Sequence, residues 1–119
     1  MNKLVQSVYV CSIFIFQSSF AISKEVDIPY RSTPGDKGVY RIIDISREFP
    51  VVKTLHRRDG PSGTSFSRTE INCVSLLYRD MGNQDDTPKG MKIRPGNWTQ
   101  FVPGSSKSNL AIAACAHQF

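Results

Sequence analysis

His56-Arg57-Arg58, just ahead of the turn Asp59-Gly60-Pro61-Ser62-Gly63, is the densest basic cluster in the chain. Three adjacent cationic or titratable side chains suit contact with an acidic partner, a lipid headgroup or a phosphate. Arg68 and Arg79 bracket Cys73 and add two more candidate contacts, with Arg68 also placed to pair with Glu70. These five residues, His56, Arg57, Arg58, Arg68 and Arg79, form the candidate partner-binding set. Acid–base chemistry at a phosphate needs two histidines and a lysine, and His56, His117 and Lys53 supply those types. Their separation in the chain makes no motif. Ser62 and Ser65 sit in no nucleophile pattern. Asp80, Asp85 and Asp86 are acidic, but their spacing is not that of a calcium-binding loop with oxygen ligands at alternate positions. His56, His117 and the cysteines show no zinc-ligand spacing, so neither metal nor cofactor is expected.

The cysteines say more about the compartment than about chemistry. Lys3 followed by the apolar run Leu4–Phe16 and by Ser19-x-Ala21 has the form of a secretory leader, Met1–Ala21, cleaved near Ala21. Its apolar run is shorter than the roughly 20 residues needed to span a bilayer, so no transmembrane segment is expected in the mature form. Val10 precedes Cys11 where a lipid-attachment site needs a small residue. Loss of the leader removes Cys11 and leaves Cys73 and Cys115 for a periplasmic or secreted domain, where disulfides form and persist. A Cys73–Cys115 bridge closes a loop of about 43 residues, worth roughly 4 kcal/mol in the chain-entropy model. The formal charge is +5 and falls by one with Lys3. Charges of both signs are interspersed and no basic stripe alternates with aromatics, which argues against nucleic-acid binding.

Positioning these residues falls to a single domain. Ile22–Lys37, polar and holding Pro29, Pro34 and Gly35, reads as an N-terminal arm; residues 38–119 form the domain. Gly38–Ile45 and Val51–Arg58 read as strands. Neither side of Gly38–Ile45 is cleanly apolar. Ser46–Pro50 and Asp59–Gly63 are turns. Ser65–Arg79 reads as one long third strand with Cys73 facing inward, Gly82–Pro88 as an acidic loop, and Met91–Arg94 and Asn97–Val102 as short strands about Pro95-Gly96. A serine after Gly104 caps a helix over Asn109–Ala116, whose apolar face is Ala111, Ile112, Cys115 and Phe119. The expected fold is α+β: an antiparallel sheet of five or six strands, a C-terminal helix packed on it, and one sheet-to-helix disulfide.

Arg68-x4-Cys73-x5-Arg79, then Trp98, Val102-Pro103-Gly104-Ser105 and the late Cys115, resembles the surface-adhesin protein E family of Gram-negative bacteria. The resemblance runs from about Gly38 to Cys115. It implies a cysteine on a central strand paired with one on a C-terminal helix, and a role in binding host matrix or serum proteins. The expected function is a non-catalytic binding protein that engages a protein partner through the exposed sheet face or the Arg57–Gly63 hairpin. An inhibitor or immunity-type periplasmic protein and a small ribonuclease-like hydrolase are the alternatives.

Overall fold

The computed structural model describes residues 26–116. The leader, His117 and Phe119 lie outside them. Six strands follow one another: β1 (Ile28–Tyr30), β2 (Val39–Glu48), β3 (Val51–Gly60), β4 (Gly63–Asn72), β5 (Leu77–Asp85) and β6 (Thr99–Gln100), with the helix α1 (Ser106–Ala116) last. Each strand pairs antiparallel with its sequence neighbour, giving a six-stranded meander in the order β1 to β6. The α+β class, the C-terminal helix against the sheet and the Cys73–Cys115 bridge are as the sequence predicts.

Alternation along the strands sends Ile42, Val52 and Ile71 to one face, where Leu110 and Ala114 of α1 cover them. A bulge interrupts this alternation in β2. Ile42 pairs with His56 and Asp44 with Leu55, so Ile43 is the extra residue. Ile42 and Ile45 therefore share the helix-covered face despite their odd spacing, which is why neither side of this segment reads cleanly. A second bulge lies between β4 and β5. Arg68 pairs with Gly82 and Thr69 with Asp80, leaving Met81 as the extra residue.

The expected long strand Ser65–Arg79 is instead a hairpin. Asn72 ends β4 and its side-chain Oδ1 accepts from the amides of Val74 and Ser75 at 3.0 and 2.9 Å. The Leu76 amide donates to the Asn72 carbonyl at 2.9 Å, and Leu76 takes a left-handed φ of 59°. A side chain here does the work of a turn glycine. Cys73 thus sits in the turn, partly buried against the core, rather than on a strand. The two arginines that bracket it lie on neighbouring strands.

Other boundaries also move. β1, inside the segment read as an arm, pairs with Tyr40–Ile42. Gly82–Asp85 belongs to β5 rather than to a loop. Met91–Arg94 is not a strand, and Asn97–Val102 contributes only the two residues of β6. The helix begins at Ser106. Ser105 caps it, its Oγ accepting from the Ser108 amide at 3.2 Å. Its inward stripe is Leu110 and Ala114 at i, i+4, flanked by Ala111, Ala113 and Cys115; Ile112 points outward and is 68% exposed.

Candidate functional site

The five predicted partner-binding residues do not form one surface. Successive side chains on a strand face opposite ways, so β3 divides its basic cluster. His56 and Arg58 lie on the helix side; Arg57 and Lys53 lie on the other. His56 is only 7% exposed, stands edge-on to the Tyr30 ring at 6.1 Å, and its Nδ1 has no hydrogen-bond partner among the described residues. Burial, with the Lys107 ammonium adding to it, pulls its pKa down to about 4, so the ring is neutral at neutral pH. Lys53 is on the opposite face, paired with Glu48 at 3.2 Å. The structure therefore does not bring Lys53 and His56 together.

Arg58 is tied down internally. Its Nη2 lies 2.8 Å from Asp36 Oδ1, and its Nε donates to the Tyr40 hydroxyl at 3.2 Å. The Tyr40 hydroxyl donates to the other Asp36 oxygen, and the Gly38 amide donates to Asp36 at 2.8 Å. Tyr40 first, then Arg58, holds the Asp36 carboxyl down at about 2. Gly38 makes room for this arrangement: a Cβ there would sit 2.6 Å from Arg58 Nε. This trio fastens the segment before β2 to β2 and β3.

The uncovered face carries the rest. Strand register gives three rows across β2, β3, β4 and β5: Arg41, Arg57, Phe66, Gln84; then Asp44, Leu55, Arg68, Gly82; then Ser46, Lys53, Glu70, Arg79. Most of their charges are internally matched. Arg41 pairs with Asp27 at 2.8 Å and Arg57 with Asp59 at 3.0 Å. Arg79 donates from Nε and Nη2 to one oxygen of the buried Glu70, at 3.0 and 2.8 Å. Its guanidinium also lies 4.7 Å from the Trp98 ring centre. Arg79, not Arg68, is thus the partner of Glu70. Arg68 and Asp44 stand in no ion pair among the described residues.

Between these two lies a groove of about 530 Å³. The buried Leu55 forms its base, and Met81, Met91 and Ile93 stand along it. The chain from Met91 to Gly96 is held beside β5 without becoming a strand: the Arg94 amide donates to Met81 O and the Gly96 amide to Asp80 O, each at 2.8 Å. Gly82 permits the approach, because a Cβ there would fall 2.6 Å from the Lys92 carbonyl oxygen. Ile93 is 51% and Trp98 38% exposed. The sequence points to the exposed sheet face but not to this groove, because Met91–Arg94 reads as a strand of the sheet and is instead a segment held beside β5.

A second groove, beside the disulfide, is lined by Leu76, Leu77, Phe101, Ile112 and neutral neighbours, with no charged group to orient a ligand. Asp80 is engaged by Lys107 at 2.9 Å, and its register partner Thr69 puts it on the helix face. Among the described residues no group of three His, Cys, Asp or Glu side chains is arranged to hold a metal ion, and no helix is long and apolar enough to cross a membrane. No protein-family model matches the chain, and neither does any curated protein or solved structure.

Proposed function

We propose that the chain is a small periplasmic or secreted protein that binds a protein partner, without catalysis, through the sheet face opposite α1. The observation that carries this reading is the groove over Leu55, edged by the exposed Ile93; on the same face Arg79, in the Glu70 row, lies against Trp98. Apolar anchors with a few placed polar groups are what a recognition site needs, and a Trp held by an Arg is a typical energetic centre of a protein interface. The leader-like N-terminus supports the compartment, and the resemblance to the surface-adhesin protein E family supports the class of function. The burial of His56 and the Asp36 and Tyr40 contacts of Arg58 support the open face over the Arg57–Gly63 hairpin as the binding surface.

The test is affinity capture with the mature, oxidised protein. Ile93→Ser and Trp98→Ser should each lower recovery of the captured protein at least tenfold, whereas Ile112→Ser, on the outer side of the helix, should not. Equal recovery by all three variants contradicts the reading.

A further inference from the structure

Among the described residues, Asp44 and Arg68 are the two charged side chains lining the groove that stand in no ion pair, and they have opposite signs. They belong to one cross-strand row, with Leu55 between them. Two interstrand spacings put their strands about 10 Å apart. Both side chains line the groove, together with Met81, Met91 and Ile93. The adjacent cations Lys53, Arg57 and Arg79 already have carboxylate partners.

From this row we infer that the groove takes a polypeptide segment whose apolar side chain is flanked by one basic and one acidic residue. The apolar side chain rests on Leu55 between the two methionines, the carboxylate meets Arg68, and the ammonium or guanidinium meets Asp44. Methionines suit such a site because their unbranched side chains adapt to the shape they cover. The paired charges select against a simple anionic lipid. A fatty acid satisfies Arg68 and leaves Asp44 unmatched. A second copy of the chain, laid face to face about an axis along β3, would also set Asp44 against Arg68, with Lys53 against Lys53 and Arg57 against Arg57; Leu55 and Ile93 amide NMR signals that shift on concentrating the protein without peptide overturn the polypeptide assignment. This inference rests on the open-face reading and specifies the partner's chemistry.

The test uses the oxidised protein and four blocked pentapeptides, followed by titration of its amide NMR signals. Lys-Gly-Phe-Gly-Glu should bind about fivefold more tightly than Lys-Gly-Phe-Gly-Lys or Glu-Gly-Phe-Gly-Glu, the scale of one partly exposed ion pair. Lys-Gly-Ser-Gly-Glu, without the anchor, should bind at least tenfold more weakly. Arg68→Glu should transfer the preference to the Lys/Lys peptide and Asp44→Lys to the Glu/Glu peptide, with the unperturbed amide spectrum showing that each variant is folded. Preferences that do not move in either variant overturn the charge assignment while leaving the open face as a binding surface. Tighter binding of laurate than of every peptide overturns the polypeptide assignment. If no peptide shifts the signals of Leu55, Met91 or Ile93, both this inference and the open-face reading fall.

Discussion

His56 occupies a site that accepts a neutral imidazole and penalises a charged one, with Tyr30 beside it and both Lys107 and Asp80 acting on its charge. The unfolded chain takes up this proton near 6.5, the fold only near 4. Between those values the unfolded state binds more protons, so stability falls as the pH drops from 6.5 towards 4 and levels off below. The shift corresponds to about 3 kcal/mol. Denaturant unfolding at a series of pH values should show this loss, and His56→Phe should remove most of it. Asp36 acts in a lower window. Its lowered carboxyl contributes stability that is present above its ordinary value near 3.8 and is lost as the pH falls through about 2. Arg79 poses a different problem, because Glu70 is buried against it. Arg79→Ala should cost about 1–3 kcal/mol by leaving that carboxylate unpaired. It should also change Trp98 fluorescence as the stacked cation is lost. Adding Glu70→Gln should recover part of the stability, and the double-mutant cycle measures the pair.

At the scale of elements, Gly82 is the point of β5 that the Lys92 carbonyl approaches. Gly82→Ala places a methyl against the Lys92 carbonyl and asks a non-glycine residue to adopt φ +151°. Destabilisation of more than about 1 kcal/mol is expected, with Met91 and Ile93 displaced from the groove, read as changed amide shifts over residues 88–96. The two hairpins about Pro50 and Pro61 were legible because alternating strands flank turn residues. The β4–β5 hairpin was not, because Asn72 closes it through its side chain and Leu76, not glycine, takes the left-handed position. The rotation of α1 was equally hidden. A run of alanines has little sidedness, so the sequence places Ile112 inward, whereas Leu110 and Ala114 fill that place. The basic cluster at β3 was visible as a composition, but only the strand register shows that adjacent members face opposite ways. The groove depends on a segment lying over the sheet, and no local pattern of residues encodes that placement.

At the scale of the molecule, α1 closes one face of the β1–β6 meander and the Cys73–Cys115 disulfide fixes it there. Cys73 and Cys115 are 42 residues apart in sequence, with their Cα atoms 5.8 Å apart. Cys115→Ser should lower unfolding stability by roughly 4 kcal/mol, a large share of the 5–15 kcal/mol typical of a domain, and reduction of the parent protein should have the same effect in denaturant titrations. α1 covers one face; on the opposite face Leu55, Phe66 and Glu70 are themselves buried, and the groove beside Met91 and Ile93 is the surface proposed for recognition. The most direct measurement is site-specific photo-crosslinking in cells that make the protein, with the crosslinker at Ile93 on the open face or at Ile112 on the outer side of the helix. A discrete protein adduct from Ile93, lost with Trp98→Ser and absent from Ile112, is the predicted result. Adducts from Ile112 alone, or none from Ile93, would contradict the claim that the open face is where this protein meets its partner.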